Sequence, residues 1–313
     1  MRSQNDWEKS ASRIGDAHAP VLLSEVLRYL NPLPGQRYVD ATADGGGHAV
    51  AILQAIQPDG KLLALEWDEE LLRRLRIRLE KECSRFSKNY ELRLANFADI
   101  AKIVRSLAFG PVAGVLFDFG MSSFQLEASS RGFSFQKSEP LDMRYSMELP
   151  ETAADMLHRR SPSELERMFS TFGQERFSRS IARAIAARRK RRRIQTTDEL
   201  VDVIRGATPH WYHRSRLHFA TKIFQAIRIT VNHELENIAA GLRGAVEILA
   251  PAGRIVAISF HSLEDRTVKD CFRSDLRTQF RILTPVPVRP SREEVLLNPR
   301  ARSARLRAFE KIA

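Results

Sequence analysis

Cysteine is scarce: Cys83 and Cys271 lie far apart in a chain of 313 residues and in no CxxC spacing. That argues against a disulfide framework and a thiolate zinc site, and it fits a reducing compartment. Long apolar runs are missing as well, none reaching the ~20 residues that cross a bilayer. The stretch Met1–Ser12 is polar and lacks an apolar h-region, so no secretory signal is expected and the cytoplasm is the expected location. Acid is the minority charge, 38 Asp and Glu against 50 Lys and Arg, for a formal net charge of +12. Such an excess favours a polyanionic partner through release of its counterions. An acidic membrane would also attract it, but the sequence has no amphipathic anchor or lipidation motif, which puts nucleic acid first.

What is present is a regular alternation up to Asp118. Tyr38–Thr42 reads as a buried strand, followed by the glycine turn Asp44–Gly47 and a helix from His48 to Ile56. Lys61–Glu66 is a second strand, Glu69–Cys83 an Arg-rich amphipathic helix and Glu91–Ala95 a third strand. Asp99–Ser106 then reads as a helix and Gly114–Asp118 as a fourth strand. Repeated βα units imply a parallel, doubly wound sheet with right-handed crossovers. The pattern resumes at Thr221, where Ile223, Ile227, Leu235, Ile238, Leu242 and Val246 predict one long helix with a continuous stripe against a sheet. Pro251–Gly253 end it, Arg254–Ser259 is the next strand, and Arg281–Thr284 with Ser303–Ile312 offer a closing antiparallel pair.

The gap between the fourth strand and that helix far exceeds the ~2–6 residues of an ordinary connection, so an inserted domain is expected. It is taken as residues 126–218, between two parts of the sheet domain, 1–125 and 219–313. Its signals are helical. Ser161-Pro162-Ser163-Glu164 combines an N-cap serine, a proline at N1 and a capping-box glutamate, and Thr196 with Glu199 repeats the box. Glu175–Arg189 has helical apolar spacing and runs into six bases, Arg188 to Arg193, which suit either a solvated helix end or phosphate contact. The expected fold is therefore α/β, a Rossmann-like sheet with an inserted all-helical domain.

The segment from Val39 through Asp40, Asp44, Gly45, Gly46 and Gly47 to His48 is a strand, a glycine turn and a helix start. Glu66 ends the second strand, where a doubly wound fold places the acid that binds ribose hydroxyls. A plain strand–helix turn and a helix cap would leave the same traces, but the two in this order favour an adenosine-type ligand. Charge selects among such ligands. Asp40 and Asp44 would oppose the diphosphate of a dinucleotide, whereas S-adenosylmethionine carries a sulfonium and an ammonium group and no phosphate. No full GxGxxG and no Walker GxxxxGK[ST] occurs, so NAD and ATP fall behind.

Further motifs carry a resemblance. They include His18-Ala19-Pro20-Val21-Leu22-Leu23, the turn ending at His48, Asn96-Phe97, and the run from Asp118-Phe119-Gly120 to Gln125-Leu126. Arg131-Gly132-Phe133-Ser134-Phe135, Leu141-Asp142-Met143-Arg144 and Phe172-Gly173-Gln174-Glu175-Arg176-Phe177 follow. The last are Phe224 to Ile229, Ile258 to Arg266 and Asn298 to Ser303. In these the chain resembles the ribosomal RNA small subunit methyltransferase H family, also called MraW, which makes N4-methylcytidine. The resemblance implies a class I methyltransferase sheet, S-adenosylmethionine as cofactor, and methyl transfer to N4 of a cytidine in the decoding region of 16S ribosomal RNA. It places Gly46, Gly47 and His48 at the methionine end of the cofactor, Glu66 on its ribose and Phe97 beside adenine, with Asp118 and Gln125 completing the pocket. Three positions depart from the family: Glu66 stands for Asp, Asp44 for Gly and Phe119 for Leu. The implied partners are small-subunit ribosomal RNA or the ribosomal subunit, with a second copy of the chain an open alternative and no membrane.

Methylating an exocyclic amine needs an acceptor for its proton, and general-base help is worth roughly 10²–10⁴-fold. The sequence has no [DN]PP[YF] motif for this. Asp118 is the first candidate, with a cofactor contact as its alternative; Asp142 is the second, with a salt bridge to Arg144 as its alternative. Phe133 and Phe135 beside Arg131 suit a clamp on a splayed base or plain core packing. Arg144, Arg228, His261 and Arg266 are expected near the same pocket. The DFG at Asp118 lacks its kinase companions, and His233-Glu234 lacks the second histidine of HExxH because Asn237 stands there, so no metal site is expected. The rival classes are a non-catalytic RNA-binding assembly factor, a nucleotide-dependent oxidoreductase and a methyltransferase of another nucleic acid.

Overall fold

The structure, a computed structural model, describes residues 20–273, 276 and 278–312. His18 and Ala19 of the first motif, and the polar stretch Met1–Ser12, lie outside the described residues. The chain divides into two compact units, one formed by the segments up to Gly120 and from Leu235 onward, the other by Met121–Glu234.

The first unit is built on a seven-stranded sheet in the order β3-β2-β1-β4-β5-β7-β6. The strands are β1 Arg37–Asp40, β2 Lys61–Glu66, β3 Tyr90–Leu94, β4 Val112–Asp118, β5 Leu249–Ser259, β6 Phe280–Ile282 and β7 Arg305–Lys311. The first five run parallel, and β7 lies antiparallel between β5 and β6. Buried strands alternate faces with period two. Val39, Leu63, Leu65, Val115 and Phe117 pack in one apolar layer, while Tyr38, Leu62, Ala64 and Leu116 pack in another. Because β1 pairs with both β2 and β4, chain direction across the sheet reverses there, and the crevice beyond the carboxyl ends of β1 and β4 is where such sheets take ligands.

The second unit is helical, with helices Ala153–Arg159, Pro162–Thr171, Ser178–Arg189, Thr197–Ala207 and Thr221–Val231 around a core that includes Phe169, Ile181, Leu200 and Ile227. Ser161 and Glu164 close the expected capping box. Thr196 does not: its side chain caps nothing, and Glu199 instead accepts from the backbone of Gln195 at 2.8 Å.

The long helix expected from Thr221 is two helices. Ile223, Ile227 and Val231 belong to the core of the helical unit, and Ile238, Leu242 and Val246 to that of the sheet unit. The helices Thr221–Val231 and Glu234–Ile248 are separated by Asn232 and His233, whose φ is 50°. Asn232 has no exposed surface; its amide donates to the carbonyls of Met143 (2.7 Å) and Arg228 (3.0 Å) and accepts from the Tyr145 N–H (2.7 Å). Those bonds fix the break; the helical unit runs from Met121 to Glu234, against the expected 126–218.

Candidate active site

The turn after β1 is shaped by two residues with positive φ, Asp44 (43°) and Gly46 (83°). At Gly46 a side chain is excluded twice over, since a Cβ would also lie 2.7 Å from Leu75 Cδ1. Gly45 faces open space, and its carbonyl accepts from Arg78 Nη1 at 2.8 Å. The turn is tied to β2 and β4 by two hydrogen bonds: Asp44 N–H donates to Glu66 Oε2 (2.8 Å), and Asp118 N–H donates to Thr42 Oγ1 (2.6 Å). Glu66 Oε1 also accepts from the N–H groups of Trp67 (2.8 Å) and Asp68 (2.9 Å).

Four carboxylates thus collect at one sheet end: Asp40, Asp44, Glu66 and Asp118. Burial raises the Asp40 carboxyl to about 6 against the pull of His48, and burial raises Glu66 to about 7 although backbone N–H groups favour its charged form. Burial, then the charges of Glu66, Asp118, Asp40 and Asp68, push Asp44 well above the ordinary range. His48 Nε2 lies 3.5 Å from Asp118 Oδ2. Asp40 Oδ2, Asp118 Oδ1 and both ring nitrogens of His48 are buried without a hydrogen-bond partner in the structure. Unpaired buried acceptors of this kind call for a cationic or donating ligand. Unit charges ~4 Å apart interact by about 4 kcal/mol at an effective dielectric of 20, so each such contact would repel a diphosphate and attract a sulfonium or ammonium group. The donor set fits S-adenosylmethionine.

Phe97 packs edge-on against Phe117 (centroids 5.8 Å apart) and tilted against Phe119 (5.8 Å), on a turn that follows β3. Phe119 stacks on Phe117 at 5.4 Å and belongs to the core. Two positions escaped the sequence reading. Thr42 holds the Asp118 backbone, and Gly241 gives Phe97 room, since a Cβ there would lie 2.7 Å from the Phe97 ring. The first could have been found in the DxT spacing of the turn; the second is visible only when the helix is packed.

The sheet unit also carries His261, whose Nε2 is 3.0 Å from Glu264 Oε1, and the exposed Arg266. Glu264 Oε2 accepts from the backbone of Phe260 and His261 and so caps the helix Ser262–Arg273.

The remaining expected residues lie in the helical unit. Gln125 forms a capping box with Ser122. Phe133 is buried and stacks on Tyr145 at 5.5 Å, so it is a core ring and no exposed base clamp. Arg131 donates to the carbonyls of Arg144 and Tyr145, both at 3.0 Å. Phe135 is half-buried, stacked on His218 at 4.4 Å and edge-on to Phe224 at 5.1 Å. Asp142 receives Arg144 through both carboxylate oxygens, each at 2.8 Å. Arg228 is 8% exposed and pairs through two bonds with Glu234, at 2.7 and 2.9 Å, which leaves it no open route to a phosphate. The basic run is largely spent on the protein itself. Arg189 donates to the carbonyls of Leu157 and Arg160, Arg193 pairs with Asp155, and Arg192 reaches Glu199 at 3.3 Å. Lys190 and Arg191 remain exposed.

A parallel sheet of this strand order, with an antiparallel seventh strand and an acid-lined crevice at its switch point, defines a class I methyltransferase with S-adenosylmethionine as cofactor. The model of the MraW methylase family matches residues 15–312, and the chain belongs to that family. The chain is 46% identical to the ribosomal RNA small subunit methyltransferase H of Thermomicrobium roseum, over 96% of this chain and 95% of that one. To the protein of the same name from Kosmotoga olearia it is 45% identical, over 95% and 98%. Among solved structures, a putative rRNA-methylase from Clostridium thermocellum superposes with a TM-score of 0.48 at 12% identity, over 95% of this chain and all of that one. Among the described residues no helix is long and apolar enough to cross a membrane.

Proposed function

We propose that the protein transfers the methyl group of S-adenosylmethionine to N4 of a cytidine in the decoding region of 16S small-subunit ribosomal RNA. Family membership, the names of the relatives and the positive net charge of +12 support an RNA substrate. The observation that carries the chemistry is Asp118: its carboxylate sits at the end of β4 with Oδ1 buried and unpartnered, and its backbone is fixed by Thr42.

The cofactor supplies an electrophilic methyl on a cationic sulfur. The cytosine N4 lone pair is delocalised into the ring, so attack is slow unless a carboxylate draws on the amino hydrogens. Asp118 would take the proton that N4 releases as it gains the methyl group from sulfur. His48 Nε2 faces the same carboxylate, 3.5 Å from Asp118 Oδ2. Asp142 serves as the partner of Arg144, because both of its oxygens are already engaged.

The test is transfer of a labelled methyl group to small subunits, read by mass spectrometry of the nucleosides. N4-methylcytidine is expected, and Asp118→Asn should lower kcat at saturating cofactor by about 10²–10⁴-fold, beyond any loss of cofactor affinity. A product methylated at carbon, or an Asp118→Asn enzyme of normal rate, would overturn this reading. Calorimetric titration with S-adenosylmethionine and NAD separates it from an assembly factor, which would need neither, and from an oxidoreductase.

A further inference from the structure

We infer that the helical unit binds an unpaired RNA strand on the surface formed by Trp211, Arg176, Arg214 and Arg216. The inference rests on the reading of the substrate as RNA and adds the place and strandedness of the contact. Trp211, Arg214 and Arg216 lie outside every motif that carries the family resemblance.

The segment from Val203 to His233 contains no aspartate or glutamate, in a chain that has 38 of them, yet it holds Arg205, Arg214, Arg216 and Lys222 on exposed or half-exposed positions. Within it a 3₁₀ helix, His210–Arg214, presents Trp211 with 56% of its surface exposed. A single exposed aromatic is common and by itself means nothing. This one is mounted on a fixed support. The neighbouring Tyr212 hydroxyl donates to the buried Glu175 at 2.5 Å, and Thr208 Oγ1 and His213 Nε2 are 2.8 Å apart. The Arg176 guanidinium lies 4.4 Å from the centre of the Trp211 ring and 4.8 Å from that of Phe177. Among the described residues Arg176, Arg214 and Arg216 have no carboxylate partner, in contrast to the spent cations of the run from Arg188 to Arg193.

An indole on a fixed support, backed by one cation and followed along the chain by the exposed Arg214 and Arg216, combines the two elements that hold single strands. The ring offers a stacking face to a base, and the guanidinium groups take adjacent phosphates. A duplex would supply the phosphates but keep its base faces covered. An acidic peptide would use the arginines and leave the ring idle.

The experiment measures binding of a short labelled RNA to the full chain by fluorescence anisotropy across a salt series. Wild type, Trp211→Ala, Trp211→Phe and the double variant R214A/R216A are compared, with calorimetric cofactor binding as the check that each is folded. Trp211→Ala should weaken the strand about 5–150-fold, the equivalent of one base stack, with an unchanged salt slope, and Trp211→Phe should restore most of the loss. R214A/R216A should flatten the slope of log K against log salt by about 1.4, two single-strand phosphates. Wild-type affinity in Trp211→Ala overturns the proposal, as does a matching duplex bound as tightly as the strand. An acidic peptide lost in R214A/R216A while RNA binding persists would assign the surface to a protein and overturn it too. If Trp211→Ala binds normally and small-subunit RNA is still methylated, this surface fails and the RNA reading stands. If the wild type neither binds the strand nor methylates RNA, the RNA reading itself fails.

Discussion

The hydroxyl of Thr42 accepts a hydrogen bond of 2.6 Å from the backbone N–H of Asp118. The two residues stand just past β1 and at the end of β4, so one bond joins the cofactor turn to the proposed proton acceptor. Positioning of Asp118 therefore depends on the turn proposed to meet the cofactor.

Replacing Thr42 by valine keeps the shape and deletes the acceptor. The stranded N–H should cost about 1–3 kcal/mol of stability, and kcat should fall more than cofactor affinity does. Thr42→Ser should restore both. Thermal unfolding, calorimetry and single-turnover rates measure this; an equal loss in the serine variant would mean that only the packing of the methyl group matters.

Acidity sets a second expectation. Burial holds Glu66 at about 7 and Asp40 at about 6, above their ordinary 4.5 and 3.8, so the protein without cofactor binds these protons more tightly when folded. Its stability from them is complete below about pH 4 and is lost as pH rises through 6 to 7. The cationic cofactor opposes that trend, because it favours the ionised acids. Affinity for S-adenosylmethionine should rise from pH 5.5 to 7.5, and rise less for the neutral-sulfur product S-adenosylhomocysteine. Calorimetric titration at both values decides; a flat or falling affinity would separate these acids from the cofactor.

Neighbouring glycines should respond differently. Gly46→Ala meets a positive φ and the Leu75 side chain, and should lose about 1–3 kcal/mol together with cofactor binding. Gly45→Ala meets nothing and should stay within about 0.5 kcal/mol of wild type. Urea unfolding of the two variants checks the contrast.

Arg228→Ala leaves Glu234 buried without its guanidinium. Such a removal typically costs about 3–5 kcal/mol, so the variant should unfold at lower temperature before any change in RNA affinity can be read. Intact stability with selectively weakened RNA binding would return Arg228 to the substrate.

The strands of the sheet were legible because β1, β2 and β4 are apolar runs closed by acids, and the spacing of those acids already pointed to the crevice. The break at Asn232 was not, since the apolar stripe continues in phase across it and neither glycine nor proline marks it. Its cause is an amide bonded to Met143 and Tyr145, a partnership made only in three dimensions. For Phe133 the sequence left a clamp and core packing open, and the stack on Tyr145 selects the core. The run from Arg188 to Arg193 looked like free charge because its partners, Asp155 and the carbonyls of Leu157 and Arg160, come from a distant helix and its end. Asp44, where the resemblance led us to expect glycine, has an electrostatic setting but no packing reason.

Strand β7 is inserted between β5 and β6, and β5 in turn is separated from its neighbour β4 by the whole helical unit. During synthesis the helical unit is an uninterrupted stretch that can close on itself, while β4 waits with one edge bare until Leu249–Ser259 emerges. The acids of the crevice are therefore synthesised early, but a chain stalled before Arg305 would leave bare the edge of β5 that pairs with β7.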